Sequence, residues 1–279
     1  MGRNGILQYK MFFPLLLWIL ILFACDRKKS FSDIPLGILE CQLKSNCNTP
    51  STYGMIGDSW TDFVLGYPIV EDLYDQLTSK GYKITASNIG GLTLKFELEQ
   101  RRGFLKVIHD AGPELEFFLL SIGGNDLIFP VNTFSIKGID STIQERVLAI
   151  KKQLKELVFY GNQYKTNLYG GKPIKWIIHG YDYPNPEFDD SCIIDAITYG
   201  MSPEQAKTIY EKAVNQLNIA YWELTLEIPN FYYIDLRRSL GGPPYSNSNF
   251  MYDCIHPNTL GFSLLVESYI NQLKILEKL

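Results

Sequence analysis

Basic charge is not in excess in this 279-residue chain: 26 Lys and Arg stand against 30 Asp and Glu, for a formal charge of -4. A polyanion-binding surface needs a clustered basic surplus, so nucleic acid is not an expected partner. Histidine is scarce, with three residues in all, which leaves few candidates for a base that works near neutral pH. Internal repeats and low-complexity tracts are absent. With 46% hydrophobic and 20% charged residues, the composition excludes disorder, collagen and coiled coil. A chain of this length can bury a substantial core as one domain.

What is present begins with an atypical N-terminus. Arg3 and Lys10 precede an uncharged apolar run from Met11 to Ala24, followed by Cys25 and then Asp26-Arg27-Lys28-Lys29. That order of charge, apolar stretch and polar flank predicts a secretory signal over residues 1–24. A helix of that run spans about 21 Å, short of the roughly 30 Å hydrocarbon layer, so a stable membrane span is the weaker reading. Leu22-Phe23-Ala24-Cys25 resembles a bacterial lipobox, which implies lipid on Cys25 and an extracytoplasmic, membrane-anchored lipoprotein. An ordinary cleaved signal and an uncleaved anchor are the alternatives. Loss of residues 1–24 removes two basic and no acidic groups, leaving 24 basic against 30 acidic, a net charge of -6.

If Cys25 carries lipid, four cysteines remain, and an even number in an exported chain favours disulfides. Residues 25–50 are polar, lack apolar periodicity and end at Pro50, so they read as a tether. Cys41 and Cys47 can close a small loop there. Pairing Cys41 with Cys47 and Cys192 with Cys254 is the most economical of the three connectivities that four cysteines allow.

The domain is expected over 51–279. Short β-branched or aromatic runs bounded by Gly, Pro, Asn or Asp lie at Ser51 to Ile56, Lys83 to Asn88, Glu116 to Ile122, Ile174 to His179 and Phe231 to Leu236. Amphipathic stripes separate them. One joins Ile69, Val70, Leu73, Tyr74 and Leu77, and another joins Ile143, Val147, Ile150, Leu154, Leu157 and Val158. Ser202-Pro203-Glu204-Gln205 combines a capping box with proline at the first helical position and opens a helix to about Glu227; a last helix follows Pro257. Strands alternating with helices predict a parallel sheet covered on both faces, with chemistry at the carboxyl ends of the strands.

Unusual residues gather at those ends. They are Gly57-Asp58-Ser59-Trp60, Asn88-Ile89-Gly90-Gly91, Gly123-Gly124-Asn125-Asp126 and Asp253-Cys254-Ile255-His256-Pro257. On these four blocks the chain from about Ser51 onward resembles the SGNH (GDSL-type) hydrolases, whose four naming residues map onto Ser59, Gly91, Asn125 and His256. The resemblance implies a flavodoxin-like three-layer α/β/α fold with a five-stranded parallel sheet. It also implies hydrolysis of acyl esters or thioesters without metal or cofactor. Trp60 stands where the family name has Leu, and Gly90 rivals Gly91 in the looser second block.

The residues support the same chemistry by themselves. A serine hydroxyl needs a base within hydrogen-bond reach, and that base needs a third group to hold its tautomer. His109 lies in a helical segment and reads as structural. His179 ends a strand and reads as a buried ring bonded to backbone, with a pocket role as the alternative. His256 is the expected base, Asp253 its orienter and Ser59 the nucleophile, although an Asp before a helix can also serve as a cap. The oxyanion would be met by the backbone N–H groups of Ser59 and Gly91 and by the Asn125 amide; turn chemistry after a strand is the plain alternative for the last two. Asp58 is expected to fix the loop.

Substrate identity is less legible. Tyr181, Tyr183, Pro184, Pro186 and Phe188 make the segment after the fourth strand rich in rings, which suit sugars and acyl chains and can equally pack loops. The expected substrate is a small-molecule, lipid or glycan ester, with a short-chain carboxylesterase first, and a carbohydrate O-deacetylase and a lysophospholipase or thioesterase behind it. A catalytically silent surface-binding lipoprotein is the reading from another class, because fold alone does not fix activity.

Overall fold

A computed structural model describes residues 51–63 and 70–279. The expected signal at 1–24, the tether at 25–50, and Cys25, Cys41 and Cys47 lie outside the described residues, as does Ile69. Five parallel strands form one sheet: β1 (Tyr53–Gly57), β2 (Ile84–Ala86), β3 (Phe117–Ser121), β4 (Lys175–His179) and β5 (Phe231–Ile234). Their spatial order is β2-β1-β3-β4-β5, so the direction of winding reverses at β1. All five lie within or one residue beyond the runs read from the sequence. β3, Phe-Phe-Leu-Leu-Ser, is buried along its whole length, as a central parallel strand covered on both faces must be.

Eight α-helices of five or more residues are described. α1 (Leu73–Ser79) packs with the last helix, α8 (Thr259–Leu276). α2 (Gly103–Ala111), α5 (Ile139–Tyr169) and α7 (Pro203–Glu227) pack in sequence beside one another. This is a three-layer α/β/α arrangement. Three short helices stand near the carboxyl edge of the sheet or follow from it: α3 (Gly124–Ile128), α4 (Asn132–Lys137) and α6 (Ile194–Thr198).

The caps explain the boundaries. Ser202 and Gln205 make the expected reciprocal box at the start of α7, with Pro203 in its first position. α8 is capped by Asn258, whose side chain accepts from the Gly261 N–H at 2.9 Å, so Asp253 is not the cap of that helix. One stripe is shorter than expected. Asp72 caps α1 by accepting from the N–H groups of Tyr74 and Asp75, so Val70 precedes the helix instead of belonging to it. Among the described residues no helix is long and apolar enough to cross a membrane.

Candidate active site

The turn after β1 needs two things of its residues. Gly57 must be bare, because a Cβ there would stand 2.0 Å from Thr61 Oγ1 and 2.8 Å from Ser121 Cβ. Asp58 must be satisfied, because it is 2% exposed. Its Oδ1 accepts from the Trp60 N–H at 3.0 Å and from Ser121 Oγ at 3.3 Å, and its Oδ2 accepts from the Tyr181 hydroxyl at 2.5 Å. Burial nevertheless pushes the Asp58 carboxyl up to about 6, against the pull of those donors and of nearby His256. Asp58 therefore ties the β1 turn to β3 and to the segment after β4, and Ser59 stands next to that knot.

His256 comes from the loop before α8. Its Nε2 is 2.7 Å from Ser59 Oγ, and its Nδ1 is 2.8 Å from Asp253 Oδ2. The other carboxylate oxygen of Asp253 accepts the N–H groups of Ile255 and His256, each at 2.8 Å, which fixes the carboxylate independently of the ring. Burial by itself would raise the Asp253 pKa. The His256 ring and the two amides outweigh it and hold the carboxyl below its ordinary value. The loop closes on itself through the Tyr252 N–H donating to the His256 carbonyl at 2.8 Å. Trp60 Nε1 donates to the Ile255 carbonyl at 3.2 Å, and Phe63 lies against the imidazole with ring centroids 4.5 Å apart.

Asn125 is the second residue of α3, placed there by the turn at Gly123, whose φ of 113° admits glycine readily. Its Nδ2 donates to the Leu92 carbonyl at 3.1 Å, which orients the amide and leaves it a second hydrogen. Asp126 accepts the Leu94 N–H through both oxygens, at 3.0 and 2.9 Å, so the third block is joined twice to the segment that follows the second. The two glycines of the second block differ. The Gly90 N–H donates to Asp62 Oδ2 at 3.0 Å. Gly91 has a φ of +77°, and among the described residues its N–H and that of Ser59 donate to no protein acceptor. Ser59, Asn125 and His256 line one cleft, and Gly91 and Asn125 line its neighbour.

The other histidines lie elsewhere. His109 is in the last turn of α2, 3.2 Å from Asp110. His179 is 1% exposed, and its Nδ1 donates to the Gly180 carbonyl at 2.8 Å. Burial lowers its pKa to about 4, outweighing that hydrogen bond, so the ring is neutral near pH 7. Of the rings after β4, Tyr181 and Tyr183 are buried and pack the loop, whereas Phe188 is 36% exposed. Cys192 is disulfide-bonded to Cys254 with Cα atoms 5.5 Å apart, the pairing expected from the sequence. The Asn185 N–H reinforces it by donating to the Cys254 carbonyl at 2.7 Å.

Sequence reasoning missed Trp60, Tyr181 and Asp126 as supports of the site. Asp126 adjoins Asn125 in its block, but its partner Leu94 lies 32 residues away. Among the described residues no group of three or more His, Cys, Asp or Glu side chains is gathered as metal ligands would be.

No family model matches the chain, and no curated protein matches it. Solved structures do. One is a protein from Streptococcus pneumonia described as a platelet activating factor, with a TM-score of 0.56 and 16% identity, covering 93% of this chain and 99% of that one. Another is the lipase Lip_vut3 from a goat rumen metagenome, with a TM-score of 0.52 and 14% identity, covering 78% of this chain and 95% of that one. At such identities the likeness is one of fold.

Proposed function

We propose that this chain is a serine hydrolase that cleaves carboxylic esters through an acyl-enzyme on Ser59. The observation that carries the reading is the continuous line Ser59 Oγ, His256 Nε2, His256 Nδ1, Asp253 Oδ2, with steps of 2.7 and 2.8 Å. His256 takes the Ser59 proton as Oγ attacks the ester carbonyl. It then gives that proton to the alkoxide as the C–O bond breaks. Water, deprotonated by the same ring, attacks the acyl-enzyme and returns Ser59 and a carboxylic acid. Asp253 holds the tautomer that leaves Nε2 free to accept and stabilises the imidazolium.

The developing oxyanion would be met by the N–H groups of Ser59 and Gly91 and the spare amide hydrogen of Asn125. The assignment favours Gly91 over Gly90, because the Gly90 N–H is engaged by Asp62. The lipase among the fold neighbours is in keeping with ester hydrolysis. Against a silent binder speaks the cost of holding a partly buried carboxylate, imidazole and hydroxyl in one line with no use for them.

Kinetics on purified variants test the reading. Ser59→Ala and His256→Ala each lower turnover of a short-chain aryl ester by about 10³ or more, the scale of triad deletions. Full activity in either variant refutes it.

We also propose residues 1–24 as a signal, residues 25–50 as a tether and lipid on Cys25 as the anchor, on the sequence pattern. More than one acyl chain gives firm anchoring where one is marginal. Cys25→Ser should abolish partitioning into a detergent phase; partitioning like the wild type removes the proposal.

A further inference from the structure

Two clefts meet at His256. The first contains Ser59 and Asn125 and is walled by apolar residues of α3 and α7, among them Leu127 and Val214. The second is a groove that opens to solvent and includes none of Ser59, Asn125 and Gly91. It shares Ile128, Phe129, Ile255 and His256 with the first, so the two adjoin at those residues. Val131, Phe134, Ala196 and Ile209 give it an apolar wall, Asp195, Tyr210 and Asp253 line it as well, and the Cys192–Cys254 bridge closes one side. The short helices that supply this wall also carry apolar side chains in water: Ile136 is 76% exposed, Ile194 52% and Ile197 37%.

The chemistry assigns the groove an occupant. A tetrahedral carbon on Ser59 has three other substituents. The oxyanion points to Gly91 and Asn125. The leaving oxygen must lie within reach of His256 Nε2, because that atom delivers its proton. The acyl arm takes the remaining direction. The groove omits the serine and the oxyanion donors and adjoins His256, the group that delivers the leaving-group proton. We infer that it receives the alcohol arm of the ester and that the preferred substrates are esters of extended apolar alcohols. The inference rests on the roles assigned above to Ser59 and His256.

Two ester series read this out: acetates of methyl, butyl and octyl alcohol, and methyl esters of acetate, butyrate and octanoate. In the wild type, kcat/KM should rise about 10-fold or more from methyl to octyl acetate, since each buried methylene contributes roughly 0.8 kcal/mol. Val131→Asp places a charge on the half-exposed wall, and Ala196→Trp fills the groove. Each should flatten the alcohol series at least about fivefold and leave the slope of the acyl series as it was. Ser59 labelling by a fluorophosphonate shows whether each variant keeps its site, and Val131→Asp decides the matter if Ala196→Trp fails to fold.

An active wild type with a flat alcohol series overturns the inference, and so does a variant that alters the acyl series instead. Absence of both labelling and turnover in folded wild type removes the hydrolase reading, and this inference with it.

Discussion

The indole of Trp60 donates to the carbonyl of Ile255 at 3.2 Å. The residue after Ser59 thus holds the residue before His256, across 195 positions of sequence. A leucine at position 60 could fill similar space but has no N–H to give, so the tryptophan adds a link between the loops that carry Ser59 and His256. Its geometric importance is plain from the scale of the effect, since a misplacement of about 1 Å at a reacting centre can cost about 10²-fold in rate.

Asp253→Asn should keep the loop, because an amide oxygen can still accept from the N–H groups of Ile255 and His256. It should remove the acceptor that fixes the His256 tautomer. Turnover is expected to fall by about 10³ to 10⁴ with little change in thermal midpoint. Steady-state kinetics paired with calorimetry check this. A loss below tenfold would reduce the site to a serine–histidine pair.

Asp58 makes stability depend on pH. Its folded carboxyl keeps its proton up to about 6, while the ordinary value is 3.8, so the folded state binds more protons across that interval. Stability from this residue therefore falls as pH rises from about 4 to 6 and is flat above. Asp72 and Asp182 are shifted the same way by burial, so a comparison of variant with wild type is required. The midpoint of Asp58→Asn, relative to wild type, should rise between pH 4 and 6 by an amount worth at most about 3 kcal/mol. A difference independent of pH contradicts the assignment.

The Cys192–Cys254 bridge closes a loop over a separation of 62 residues. In the chain-entropy model that is worth about 4 kcal/mol, on the order of 10 °C in midpoint for a domain of this size. It also pins the segment carrying Asp253 and His256. Reduction, or Cys254→Ser, should lower both midpoint and turnover, whereas Cys41→Ser should leave turnover nearly unchanged. A non-reducing peptide map with Cys192 as a free thiol removes the basis for this.

The sheet was legible because its strands are short apolar runs with clear punctuation, and three of the four chemical blocks because they stand at or just past the ends of β1, β2 and β3, whereas the fourth lies well beyond β5. The Cys192–Cys254 pairing followed from the nearness of Cys41 and Cys47 in the sequence, which leaves the other two for each other. Asp58 was legible as the residue that fixes its loop, but the partners of the supports were not. Asp58 meets Tyr181 123 residues away and Ser121 63 residues away, and no local pattern announces a buried carboxylate's donors. The choice between Gly90 and Gly91 likewise needed the Asp62 carboxylate, which lies 28 residues from Gly90. Helices α3, α4 and α6 are one or two turns long, too short for apolar periodicity to register.

The central claim is that His256 and Asp253 make the Ser59 oxygen a nucleophile. The most direct measurement is covalent capture: the folded protein is treated with a fluorophosphonate and the adduct located by peptide mass mapping. The account predicts one adduct, on Ser59, lost in Ser59→Ala and slowed by about 10² or more in His256→Ala. An adduct elsewhere, or none on folded wild-type protein, would contradict it.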